Sequence, residues 1–329
     1  MKGLTQQELT SFFQSLEPDF DVRVPVRLHD GTRSLGKLNE GPLALAGGVV
    51  PKKITSVFFE HTQLVLSIED HTVKLPEPVD KPFFVVGFTA EDADCLEFID
   101  RFFGENFRDD IYFSRRTGAI VVCVSGRCGK DGAFLKIAGK NCDLELVCDG
   151  EKYLVVARSD AGRKLAERIT TGADVPDAAL KPLLEESEAL PTDDADLIEA
   201  ASQLILGGKV PDEFWRAISD RCIACTSCNL ACPTCTCFDV YDRSGKGERI
   251  NRWRMWDSCQ LDGFMREASG HNPLGTEDLR TRRRIHHKLA ADVTRWGHKT
   301  CFLCGRCDDV CPSNIGIKAV CREMIEKCG

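Results

Sequence analysis

Two runs in the last third of the chain limit what it can fold around: Cys222-x2-Cys225-x2-Cys228-x3-Cys232-Pro233 and Cys301-x2-Cys304-x2-Cys307-x3-Cys311-Pro312. In each run, three closely spaced thiols can converge from one tight loop on a single centre, while a fourth, followed by proline, is carried away from it. Where two such runs share a chain, the fourth cysteine crosses to the neighbouring centre, which is the ligand pattern of paired [4Fe–4S] clusters. The spacing therefore assigns Cys222, Cys225, Cys228 and Cys311 to one [4Fe–4S] cluster, and Cys301, Cys304, Cys307 and Cys232 to the other. Zinc is the rival reading, because Cys-x2-Cys pairs also suit a tetrahedral Zn²⁺ site. Structural zinc sites, however, combine separated pairs rather than three cysteines in series followed by Cys-Pro. The chain reads as one that moves single electrons.

The other features narrow its setting. Eighteen cysteines in a chain of 329 residues point to reduced thiols that serve metals, not to the disulfide framework of a small secreted domain. Residues 1–16 hold one lysine and no apolar core of a signal peptide, and no apolar run approaches the ~20 residues that a membrane-spanning helix needs. A cytoplasmic protein without a membrane span is expected. A net charge of −8 argues against a nucleic-acid partner. No Gly-x-Gly-x-x-Gly follows a strand, and Gly126-Arg127-Cys128-Gly129-Lys130 lacks the spacing and the Ser/Thr of a phosphate loop.

The expected fold is α+β: an N-terminal mixed α/β domain over 1–172, an acidic linker and helix over 173–210, and a mainly helical, ferredoxin-like two-[4Fe–4S] domain over 211–329. Thr5 and Glu8 form a capping box for a helix with Leu9, Phe12, Phe13 and Leu16 on one face. Strand-like runs lie at 22–28, 56–60, 64–68, 83–88, 119–124 and 153–157, and helical patterns at 91–103 and 161–169. A helix over 193–206 is stopped by Gly207-Gly208.

The stretch between the runs, 233–300, is a long insertion and is basic, with Arg252, Arg254, Arg266, Arg280, Arg282, Arg283, Arg284, Lys288 and Arg295. These cations, with Arg306, can offset cluster charge or form a docking face for an acidic partner. A helix over 282–288 is expected to bury Ile285 and turn its charges outward; His286 and His287 are alternative ligands. Cys235, Cys237 and Cys259 are candidate ligands of a third iron–sulfur cluster, with Cys123 or Cys128 as a fourth; buried free thiols are the other reading.

The segment from Arg221 to Val240 resembles the dicluster ferredoxin subunits of sulfhydrogenases (the beta subunit) and of anaerobic sulfite reductase. So do Trp256-Asp257-Ser258-Cys259, Gly270-His271-Asn272-Pro273, Arg284-Ile285-His286-His287-Lys288 and 301–312, with a weaker echo at 94–103 and 110–112. Family members often have a Gly-Val-Arg-Pro-Cys-Asp segment where this chain reads Ala93-Asp94-Cys95-Leu96-Glu97, and a Cys-Phe-Cys segment where it reads Ser125-Gly126-Arg127-Cys128. The resemblance implies an electron-transfer subunit, not itself catalytic, of an anaerobic heteromeric oxidoreductase. It would relay electrons between a flavoprotein subunit that handles NAD(P)H and a catalytic subunit such as a hydrogenase, sulfite reductase or heterodisulfide-reductase-like protein. The alternative class is an enzyme that reduces sulfur or polysulfide at Cys235, Cys237 and Cys259; a cluster-based redox sensor is a third.

Overall fold

In a computed structural model, residues 1–245 and 249–329 are described, and they form two compact units. The first comprises 1–59 and 77–190; the second comprises 60–76 and 191–329. The second unit thus includes a short N-terminal excursion, 60–76, that lies far from it in sequence.

The first unit is organised by a sheet whose strands run, edge to edge, Ala173–Asp174, Lys2–Leu4, Tyr153–Ala157, Leu144–Cys148, Ile120–Gly126, Phe83–Phe88, Asp21–Arg27 and Arg33–Gly36. The four strands from Leu144–Cys148 to Asp21–Arg27 are parallel, and the strands outside them are antiparallel. Phe83–Phe88 and Ile120–Gly126 are buried at every position, which is why they read as unbroken apolar runs and not as alternating ones. Helix Gln6–Leu16 begins at the expected capping box: Thr5 Oγ1 accepts from Glu8 N at 3.3 Å, and Thr5 N donates to Glu8 Oε2 at 2.8 Å. Its apolar stripe lies in the same core as Phe84, Val122 and Leu146.

Two local readings of the sequence differ from the structure. Residues 56–60 are not a strand; a 3-10 turn, Ile54–Val57, leads to Phe58 and Phe59, which pack edge-on or tilted against Phe83, Tyr112 and Phe103. Strand Leu144–Cys148 was hidden because Glu145 interrupts its apolar pattern. That carboxylate is fully buried and satisfied by Ser125 Oγ at 2.8 Å, Ala138 N at 2.7 Å and Arg158 Nη2 at 2.6 Å. Gly126 ends its strand at φ +83°, where a Cβ would stand 2.2 Å from Cys148 O, so the turn admits glycine alone.

Helices make up most of the regular structure of the second unit, as read, but they are joined by a substantial sheet that the sequence reading did not include. A four-stranded antiparallel sheet runs Phe238–Ser244, Ile250–Trp256, Thr62–Glu69 and Thr72–Lys74. Half of it comes from the insertion and half from the N-terminal excursion. Beside it, helices Asp193–Leu206, Asp212–Ser219, Glu277–His286 and Ile317–Cys328 contribute Ile198, Trp215, Ile285 and Val320 to one core. Helix Asp193–Leu206 has the limits read from the sequence and ends at Gly207. A wide π turn, His287–Ala291, follows Glu277–His286. Among the described residues, no helix is long and apolar enough to cross a membrane.

Phe84 is fully buried, with ring centroids 5.6 Å from Phe13 and 5.9 Å from Phe20. Phe84→Ala should destabilise the protein by about 3–5 kcal/mol through cavity formation, read as a lower urea midpoint at unchanged m-value.

Candidate iron–sulfur site

The two cysteine runs follow the same backbone path. In the first, Ala224 (φ +51°) and Thr226 (φ +63°) flank Cys225; in the second, Leu303 (φ +63°) and Gly305 (φ +78°) flank Cys304. Left-handed conformations at non-glycine residues cost about 1–3 kcal/mol each and gather at functional sites. Here they curl each loop at the residues on either side of its second cysteine. A single helical turn then follows in each run, Ser227–Leu230 and Arg306–Asp309, and leads to the Cys-Pro pair.

Cys222, Cys301, Cys307 and Cys311 pack against the apolar core of the second unit. Electrostatic neighbours sort the thiols across the two runs. Cys228 feels Cys222 and Cys311, while Cys301 feels Cys232 and Cys304, and Cys307 also feels Cys232. The fourth cysteine of each run thus faces the other run. Burial pushes the Cys228 thiol up to about 11, and Cys301 and Cys307 up to about 12. Thiols in such surroundings stay protonated until a metal displaces the proton. Cys225 is the exposed member, and its pKa is lowered by hydrogen bonds from Ser227.

The helix between the runs supplies opposite charge. Burial works against the charge of Arg284, but Cys228, Cys307 and Cys311 outweigh it and raise its pKa. The same holds for Lys288, which faces Cys232, Cys235 and Cys301. The expectation that this segment turns its charges outward is therefore corrected. Ile285 is buried as read, but Arg280 and Arg284 are buried with it. His287 is held by Asp292, 3.2 Å from Nε2, and Asp292 accepts from Thr300 Oγ1 at 2.5 Å.

Cys235, Cys237 and Cys259 are brought together by hairpin register. Phe238 pairs with Trp256, which sets the residues just outside the hairpin beside one another, and Asp257 N donates to Cys237 O at 3.0 Å. Cys237 hydrogen-bonds to both Cys235 and Cys259. The hydrogen bond from Cys237, with another from Asn229 Nδ2 at 3.2 Å, brings the Cys259 thiol down to about 6. Cys123 and Cys128, the expected fourth ligands, lie in the first unit, hydrogen-bonded to Cys142 and Cys148 respectively. The sequence reading missed Asn229, Thr234 and Thr300, polar residues next to the runs that bond to thiols or to the loops carrying them.

None of the eighteen cysteines is paired in a disulfide. Among the described residues, no group of three or more His, Cys, Asp or Glu side chains is gathered closely enough to hold one metal ion. With Zn–S bonds of about 2.3 Å, a tetrahedral zinc site needs its sulfurs roughly 3.8 Å apart, closer than thiolates on the corners of a four-iron cube. What fits a cluster here is the donor chemistry: two loops with left-handed residues at matching positions, thiols of each run electrostatically close to those of the other, and the cations Arg284 and Lys288 facing those thiols.

A family model for the 4Fe-4S dicluster domain matches residues 221–315. Over 334 aligned residues, covering 98% of this chain and 98% of the relative, the sequence is 26% identical to sulfhydrogenase 2 subunit beta of Pyrococcus furiosus. No solved structure matches the chain. The family match and the full-length similarity both support the resemblance drawn from the sequence.

Serine variants test the sharing of ligands between runs. Cys225→Ser and Cys311→Ser should weaken the same low-temperature EPR signal, and Cys304→Ser and Cys232→Ser the other. Pairing of Cys225 with Cys232 instead would contradict it.

Proposed function

We propose, for a chain that carries a 4Fe-4S dicluster domain, that it is the electron-transfer subunit of an anaerobic, heteromeric oxidoreductase. When bound, [4Fe–4S] clusters accept and release one electron at a time. Cys222, Cys225, Cys228 and Cys311 hold one, and Cys301, Cys304, Cys307 and Cys232 hold the other. The observation that carries this reading is the doubled run, with one backbone path and thiols interleaved between its copies. The core of Trp215, Ile285, Leu289 and Met324 behind the cysteines keeps water from that side, and Arg284 and Lys288 face the thiolates. No residue of this chain has to make or break a substrate bond. The electrons come from a flavoprotein subunit that oxidises NAD(P)H and pass to a catalytic subunit of the hydrogenase, sulfite reductase or heterodisulfide-reductase kind, or flow the opposite way. The relative, named a sulfhydrogenase subunit, supports such an assembly.

One observation favours a second reading. Cys235 and Cys259 are buried, and half-buried Cys237 hydrogen-bonds to both, outside the two ligand sets. This trio is a candidate place for a third iron–sulfur cluster, or for a site where a sulfur chain is reduced.

Anaerobic copurification should recover this chain with a flavoprotein and a catalytic subunit. NAD(P)H should bleach its visible absorption only while the flavoprotein is present. A chain that purifies alone and reduces polysulfide with dye-supplied electrons would contradict the relay. In the double variant Cys235→Ser/Cys237→Ser, the relay reading expects unchanged iron–sulfur EPR signals from the two principal clusters. Loss of a further paramagnetic centre would identify a third cluster at the trio, and loss of polysulfide turnover would identify a catalytic site.

A further inference from the structure

Helix Glu277–His286 and the π turn that continues it carry Arg284 and Lys288 about one turn apart, and each reaches the segment that follows a Cys-Pro pair. Arg284 is 6% exposed, and its Nη2 donates to Ile315 O at 2.5 Å. Ile315 N in turn donates to Cys311 Sγ at 3.4 Å. Lys288 Nζ donates to Thr234 Oγ1 at 2.7 Å, and that hydroxyl stands 3.3 Å from Cys232 Sγ. Thr234 Oγ1 donates onward to Thr300 O at 2.8 Å. The circuit closes where Thr300 N donates to Lys288 O at 3.1 Å. The π turn over His287–Ala291 widens the helix at this carbonyl, so a partner from another segment can take it. The residue before Cys301 and the second residue after Cys232 are thereby tied to one lysine.

The two arrangements correspond. Each cation sits one hydrogen-bonded group away from the cysteine that crosses between runs: Arg284 by way of Ile315 to Cys311, and Lys288 by way of Thr234 to Cys232. We propose that Arg284 and Lys288 are a matched pair of positioning residues, one for each cluster, which hold the crossing cysteines and set the two reduction potentials separately. The proposal rests on the dicluster reading above and adds residues that are not ligands. Its physical basis is simple. Reduction adds negative charge to a centre already ringed by thiolates, and a fixed cation in a poorly polarisable interior favours the reduced form. Removing the cation must lower the potential. Arg284 faces Cys228 and Cys311 but also Cys307 of the other set, whereas Lys288 faces Cys232 and Cys301, so Lys288 weighs on one cluster and Arg284, through its hydrogen-bonded path to Cys311, chiefly on the other.

The test is an EPR-monitored redox titration of the full, cluster-loaded chain prepared without oxygen, with iron counted in each variant. Lys288→Met should keep its iron and shift the oxidised-to-reduced ratio of the Cys301/Cys304/Cys307/Cys232 cluster at least tenfold, a fall of about 59 mV for one electron. The other cluster should move less. Lys288→Arg, which keeps the charge, should restore most of the shift. Arg284→Met should act chiefly on the other cluster, and Arg284→Gln, which also removes the charge, replaces it if the methionine variant does not fold. Loss of one cluster in Lys288→Met with retention in Lys288→Arg also supports the positioning role. Full iron with unmoved potentials in Lys288→Met, or equal shifts of both clusters, would overturn the proposal. Wild-type protein lacking iron–sulfur signals would overturn the dicluster reading itself.

Discussion

Thiolates gathered in a protein interior repel one another, and burial makes each of them harder to ionise. The second unit is arranged around that difficulty. Its loops give up favourable backbone conformations at Ala224, Thr226 and Leu303, beside the second cysteine of each run. Its core packs against four of the same thiols, which strengthens every charge interaction among them. Left there, the arrangement would hold protonated, inert cysteines. On the proposed reading, such thiolates would be stabilised by positive charge, from iron at the centre and from Arg284 and Lys288 at the side.

The insertion between the runs is the means of placing those cations. Its hairpin, Phe238–Ser244 with Ile250–Trp256, continues directly from the first run and pairs with Thr62–Glu69 within the same unit. Its helix, Glu277–His286, then crosses the unit with buried Ile285 on the core side and buried Arg284 beside the cysteines. A minimal pair of cysteine loops would bring the ligands but not these partners. The same hairpin register also gathers Cys235, Cys237 and Cys259, so one local structure both supports the two ligand sets and creates a further group of thiols.

Much of this was legible in the residues, and what was not has physical reasons. The two cysteine runs are local signals, and the proposed ligand sets rest on their spacing. The capping box at Thr5, the stop at Gly207 and the apolar strands 83–88 and 120–126 are also local signals, strong because each rests on one turn or one strand. Strand Leu144–Cys148 was concealed by Glu145, whose burial depends on Ser125, Ala138 and Arg158 from other segments. The second sheet was concealed because its strands come from distant parts of the sequence. Arg284 and Lys288 were misread as solvent-facing for a related reason. Arginine and lysine on a helix normally face water, and only the tertiary placement of two distant cysteine runs makes the interior the better location.

We propose that eight cysteines hold two iron cubes, each cube taking the fourth cysteine of the other run. Metal analysis of the anaerobically purified chain, read together with low-temperature EPR of the fully reduced protein, tests it most directly. About eight iron atoms per chain with matching acid-labile sulfide, no zinc, and the broadened spectrum of two neighbouring paramagnets are expected. Zinc in place of iron, or an iron content too low for more than one cube, would contradict it.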